Sequence, residues 1–285
     1  MNRAELATTA MRRAAEIRRE AGISRTSPLN IYDLAMNALG LRVQFTAGAS
    51  FEGMFAKEQN AILVPSERPH GRRAFSAAHE VAHWAFGHGS QIDEEDSLEG
   101  YNARPEEQLA NHFAGYILML PAALKHAANL LELDLARPSP FKIYEMACWF
   151  GVGYSTVVNH LQHGVQMLKA ANAAELLRLE PQKIRQHFSP RHLTRHLAVA
   201  SSLKPAMPLD MAVGDHALLP AEVEIPNDIL KVLERTAKGV MVEAERPGIV
   251  LLSGAEGWEA AIRVMKRGFT GWAKYRHMEE DDDEE

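Results

Sequence analysis

Apolar residues at Leu6, Ala10, Ala14 and Ile17 fall on one stripe of a 3.6-residue period, so the first 20 residues predict an amphipathic helix that Gly22 closes. A second helix is predicted from about Ile31, after Pro28, to Leu39, with Gly40 stopping it. Three short segments then change to alternating or continuous apolar character: Leu41–Phe45, Ser50–Lys57 and Ala61–Pro65, with turns at Gly48 and Gln59-Asn60. They predict strands. The run Phe75–Phe86 returns to helical spacing, with Pro69 and Gly71 before it and Gly87 after it. A polar, acidic loop is expected over about Ser90–Arg104. Pro105 opens another helix, which ends at Pro121. Two more helical stretches are predicted at about Ala122–Leu133 and Pro140–Ala170. After residue 170 the pattern shifts: a basic, His-rich stretch is followed by short apolar runs between Gly and Pro, with strands expected near Val240–Glu243 and Ile249–Leu252.

This pattern predicts an α+β protein of two parts: a mainly helical domain with a small sheet over residues 1–174, and a smaller strand-containing domain over 175–278. No internal repeat is visible.

The predicted helix over 75–86 contains His79-Glu80-Val81-Ala82-His83. Residues i and i+4 project from one helix face, so His79 and His83 can grip one Zn²⁺. Glu80 then stands beside the metal, placed to take a proton from water and return it to a leaving amine. Zinc in such a site activates water and polarises a scissile carbonyl. In a chain with 13 His, the bare motif arises by chance in roughly one case in twenty, so its helical context carries the argument.

Composition narrows the setting. A single cysteine, Cys148, rules out a disulfide framework and fits a reducing compartment. The polar N-terminus has no apolar signal core and no run of 18 apolar residues occurs, so a soluble cytoplasmic protein is expected. The net charge of −6 is a property of the tail: removing the seven acidic residues of 279–285 leaves +1. That tail is expected to be solvated and disordered.

A catalytic zinc needs a third protein ligand. A histidine six residues after His83 is missing, since Gly87 and His88 sit at +4 and +5. A later carboxylate remains, with Asp93, Glu94, Glu95, Asp96, Glu99, Glu106 and Glu107 as candidates. Glu106 and Glu107 open a helix, where backbone geometry can fix them. Glu107 also shares a face with Ala110, Asn111 and Ala114, small enough for close helix approach.

Residues 1–170 resemble the ImmA/IrrE family of metallo-endopeptidases. The resemblance rests on several segments in order: the first helix ending near Gly22, Pro28, Leu39-Gly40-Leu41-Arg42-Val43, Phe51-Glu52-Gly53-Met54, and Ala61-Ile62-Leu63-Val64. It continues through Ala78-His79-Glu80-Val81-Ala82-His83 and Glu107-Gln108-Leu109-Ala110-Asn111-His112-Phe113-Ala114 to Met119-Leu120-Pro121. Leu120, inserted between Met119 and Pro121, departs from the family pattern. The resemblance implies a zincin-like domain with His79, His83 and Glu107 as zinc ligands and Glu80 as base. It also implies a regulatory protein substrate, typically a helix-turn-helix repressor of a mobile element or stress regulon. It does not reach the second domain, for which related proteins imply sensing or substrate selection.

Asn111, His88, Tyr101 and His112 are further candidates for orienting a ligand or stabilising an oxyanion. The segment at about 141–168 is helix-turn-helix-like, with Gly151 at the turn and His160 at a position that is normally apolar. Its second helix lacks Arg and Lys, so direct nucleic-acid binding is not expected. The basic stretch Lys183–Arg195 is read as an exposed helix face, and Cys148 as an inert core residue. The alternative to a peptidase is a non-proteolytic regulatory protein that binds a transcription factor or DNA, its zinc site structural or vestigial.

Overall fold

The computed structural model describes residues 2–48, 51–89, 91–94, 104–189, 191, 193–201, 203–226 and 228–278. Tyr101 and the acidic tail at 279–285 lie outside the described residues.

Helix α1 (Arg3–Glu20) begins at a reciprocal cap, in which the Asn2 side chain accepts from Glu5 N (3.0 Å) and Glu5 returns the bond to Asn2 N (2.9 Å). Its buried stripe is Leu6, Ala10, Ala14 and Ile17, as the spacing predicts, and Gly22 follows at φ +69°. Arg18, fully buried, extends the stripe. Its guanidinium donates to the carbonyls of Ile117 (2.7 Å), Ser24 (2.9 Å) and Ser27, which ties the end of α1 to the next layer. The second helix is a single α-turn, α2 (Ile31–Asp33), that widens into a π-turn over Leu34–Ala38 before Gly40.

Strands β1 (Arg42–Thr46), β2 (Phe51–Ala56) and β3 (Ala61–Pro65) form where alternation predicts them. β1 and β3 are parallel, and β2 is antiparallel to β3. Helix α3 (His70–Phe86) is longer than the apolar run and starts directly after Pro69, so Gly71 lies inside its first turn. Packing explains this: a Cβ at Gly71 would clash with the backbone of Val152 and Gly153, which press against the helix. The stretch 90–104, expected to be loop, contains a strand, β4 (Gln91–Glu94), antiparallel to β2. Its backbone finds hydrogen-bond partners on the exposed edge of β2, which no local pattern encodes.

Helix α4 (Pro105–Leu118) packs between α1 and α3. Helices α5 (Pro121–Leu130) and α6 (Pro140–Phe150) follow. Gly151 at φ +66° ends α6, and α7 (Tyr154–Asn159) starts three residues later and runs into a π-turn at His160–Gly164. Helices α8 (Ala170–Leu177) and α9 (Pro181–Phe188) contribute Ala173, Leu176 and Ile184 to the same apolar core as α1, α3 and α4.

The remaining chain is richer in strands than its pattern predicts. β5 (Leu197–Val199), β7 (His216–Leu219), β9 (Gly239–Ala244) and β8 (Leu230–Thr236) form a four-stranded sheet in that spatial order. β10 (Gly248–Ser253), β11 (Glu259–Met265) and β6 (Leu209–Ala212) form a three-stranded one. A second apolar core, including Met211, Leu219, Val242 and Ile262, lies among these strands. β12 (Gly271–Trp272) then returns to the first sheet, which reads β12-β1-β3-β2-β4. An ionic cluster joins the two parts: Arg263 donates to Asp33 (2.8 Å) and Asp210 (2.6 Å), Arg276 to Asp210 (3.3 Å), and Asn30 to Asp210 (2.8 Å). The whole is a mixed α+β fold. No described helix is long and apolar enough to cross a membrane.

Candidate metal centre

Helix α3 buries Ala77, Ala78, Val81 and Ala82 and so places His79, Glu80 and His83 inside the protein, each at most 1% exposed. Gly87, left-handed at φ +71°, ends the helix and turns the chain back over its last turn. Pro105 occupies the first turn of α4, where its missing N–H costs nothing, and Glu107 follows within that turn. A carboxylate there faces the positive end of the helix dipole. Ala110 and Ala114 are fully buried on the same helix and allow α4 to approach α3 closely.

These local choices bring three donors together. His79 Nε2 and His83 Nε2 are 3.0 Å apart, and Glu107 Oε2 lies 3.1 Å from the first and 3.6 Å from the second. A zinc–ligand bond of about 2.05 Å and a tetrahedral angle give donor separations of about 3.3 Å. The observed triangle fits that size, and two imidazoles with one carboxylate make a buried three-donor set that could hold a metal ion. Burial alone would raise the Glu107 carboxyl, but hydrogen bonds from His79 and His83 overcome it and hold the group below the usual carboxylate range. Arg104 reaches its other oxygen at 3.4 Å.

The outer edges of both imidazoles are also engaged. His79 Nδ1 donates to Asn111 Oδ1 at 3.0 Å, since an amide oxygen only accepts. His83 Nδ1 lies 3.0 Å from His88 Nδ1. Burial, and next His83, lower the basicity of His88, which favours a neutral His88 that accepts the His83 proton. With both Nδ1–H groups directed outward, an ion at the point the two Nε2 atoms share with Glu107 would replace the Nε2 protons that bond the carboxylate and meet both lone pairs.

Glu80 lies on the side of α3 that faces β2. A Cβ at Gly53 would stand 2.5 Å from Glu80 Oε1 and 3.2 Å from its carboxyl carbon. Gly53 thus leaves room for the carboxylate, at a point where the β2–β4 register is irregular. Glycine inside a strand marks such close approaches. That signal was present in the sequence, which otherwise points to Gly53 only through the family resemblance.

The other candidates divide. Asn111 and His88 join the cluster through His79 and His83. His112 lines a cleft that Asn111 also borders. Cys148 is part-buried, with its thiol against Leu197 O at 3.6 Å, and burial raises it to about 12, so it has no thiolate nucleophile to offer. His160 fills a niche opened by Gly115 and Gly164, where any Cβ would meet its ring. It donates from Nε2 to Met119 O (3.0 Å), and burial lowers it to about 4. A histidine is tolerated at that apolar position because its polar edge finds a helix-end carbonyl.

Residues 36–162 match the peptidase M78 family model, the IrrE N-terminal-like domain. No curated protein matches the chain. Among solved structures, a Mycobacterium tuberculosis transcriptional regulator is similar at 20% identity and a TM-score of 0.37, over 55% of this chain. The alignment spans 47% of that protein's chain, less than half of its length.

Proposed function

We propose, from the IrrE N-terminal-like domain that residues 36–162 form, that this protein is a zinc-dependent endopeptidase that cleaves a regulatory protein, a helix-turn-helix transcriptional repressor in a stress or mobile-element response. The observation that carries the reading is the pair of outward bonds, His79 to Asn111 and His83 to His88, which leave both Nε2 atoms directed at Glu107 Oε2. His79, His83 and Glu107 would hold the ion. Bound there, zinc supplies a Lewis acid that polarises a peptide carbonyl and acidifies water. Asn111 and His88 fix the imidazole tautomers and ring orientations. Glu80, one residue from a ligand and nearly excluded from solvent, takes the water proton and delivers it to the leaving nitrogen. Gly53 keeps the space that carboxylate needs.

Residues 1–174 act as the peptidase unit, with a helix-turn-helix-like segment at about 141–168. Residues 175–278 select substrate or receive a signal. The turn between α6 and α7 is packed against Gly71 of α3, and Val157, Val158 and His160 are buried, which supports a packing role for this segment over DNA binding. The single free cysteine fits a reducing cytoplasm.

A second reading is a non-proteolytic regulator that holds its partner without cutting it. The near-complete burial of His79, Glu80, His83 and Glu107 favours it. The decisive experiment measures bound zinc and cleavage of co-encoded repressors by wild type and Glu80→Gln. One zinc per chain in both proteins, with cleavage by wild type alone, supports the peptidase. Stable partner capture by both, without cleavage by either, supports the second reading.

A further inference from the structure

A cleft of about 1110 Å³ opens beside the metal centre, between α3, α4, α7 and α9. Arg3 lines it from α1, His112 from α4, His163 from the turn after α7, and Arg185 and His196 from the chain beyond residue 175. Among the described residues, no Asp or Glu belongs to its wall. The Arg185 guanidinium is braced by donation from its Nε to Leu193 O (3.4 Å). Phe75, Tyr144, Val152 and Tyr154 add aromatic and apolar surface.

Asn111 is common to the cleft and the metal centre. It lines the cleft, and its Oδ1 accepts from His79 Nδ1. The cleft therefore meets His79 on its outer edge, whereas the metal-facing Nε2 points to His83 and Glu107. An occupant of the cleft approaches the ligand shell from behind. That position suits a molecule that adjusts the centre better than a peptide bond to be cut there.

We infer that this cleft is a regulatory site for a small organic anion, a phosphate or carboxylate on a ring-bearing body, which acts on the metal centre through Asn111. Cationic and imidazole groups from both halves of the chain line the cleft and offer partners to an acid group, and the aromatic walls offer surface to the body. A bare inorganic ion would leave most of such a volume to water. The binding half of the inference stands on the cleft alone. The coupling half rests on the assignment of His79 as a zinc ligand.

The test uses the full chain loaded with Co²⁺ in place of zinc, titrated by calorimetry with AMP for phosphate and indole-3-acetate for carboxylate. Adenosine is the uncharged control. At least one anion is expected to bind at least tenfold more tightly than adenosine and to change the cobalt visible spectrum. Arg185→Gln and the exposed-site variant His163→Gln should each weaken that anion at least tenfold with metal content unchanged. Asn111→Ala should keep anion binding and lose the spectral response. Absence of binding by both anions, or binding indifferent to Arg185→Gln and His163→Gln, overturns the site. An acidic peptide that displaces the anion and is itself cleaved overturns the regulatory assignment in favour of a substrate subsite. Binding retained in a chain that takes up no metal upholds the cleft and defeats the coupling, which separates failure of the zinc reading from failure of the anion site.

Discussion

Glu80 and Gly53 share a space that admits only one side chain: a Cβ on Gly53 would stand 2.5 Å from Glu80 Oε1. Gly53→Ala should therefore displace the carboxylate or push β2 away from α3. The expected result is at least a tenfold loss of cleavage with zinc retained, and a stability cost of about 1–3 kcal/mol from overpacking. Parallel zinc analysis, denaturation and cleavage measurements check it. Full activity in Gly53→Ala would show that the carboxylate does not need this position.

Glu80→Gln keeps the size of the side chain and removes the base. Bound zinc should stay at one per chain while cleavage falls by about 10²–10⁴-fold. His79→Ala, His83→Ala and Glu107→Ala should each lose tight zinc after dialysis against a chelator. Zinc retained in Glu107→Ala would reassign the third ligand.

Asn111→Ala and His88→Ala remove the outer bonds of His79 and His83. Each is expected to weaken zinc by about 10–100-fold without abolishing it, because the donor atoms themselves remain. Competition with a chromogenic chelator measures this directly. No change in either variant would mean that helix packing alone orients the rings.

Asp210 gives the fold a defined acid response. Burial would raise its carboxyl, but Arg276 and Arg263 outweigh burial and lower it to about 2. A carboxylate depressed in the folded state stabilises the protein above its unfolded value near 4, and that contribution is lost as pH falls from about 4 through 2. The size is roughly 2 kcal/mol. Asp210→Asn should lower stability at pH 7 and flatten the loss between pH 4 and 2, as read from urea unfolding across that range. An unchanged acid limb in the variant would place the sensitivity elsewhere.

Much of this site was legible before any coordinates. His79 and His83 share a helix face through a four-residue spacing, and Pro105 and Gly87 mark helix ends by their own stereochemistry. Alternation located β1, β2 and β3. These are local properties, set within one or two turns of chain, so the amino-acid order determines them. Spacing alone left Glu107 as one of several carboxylates, because the ligand on α4 is 24 residues beyond His83 and the chain between can run many ways.

The tertiary structure decided what sequence spacing cannot carry. Small residues let α4 come close enough to α3 for Glu107 Oε2 to meet two imidazoles, and that approach also gave His79 its bond to Asn111. The turn at Gly87 brought His88 onto His83, and β4 paired with β2 in a stretch whose residues predict a loop. β12 returned more than 200 residues to join β1, and Arg263 and Arg276 closed on Asp33 and Asp210. Each of these contacts joins groups distant along the chain, fixed by packing and by the need of buried charges and backbone groups for partners. The order of residues determined the helices, most of the first sheet and the donor types; the packing of helix on helix decided which donors meet.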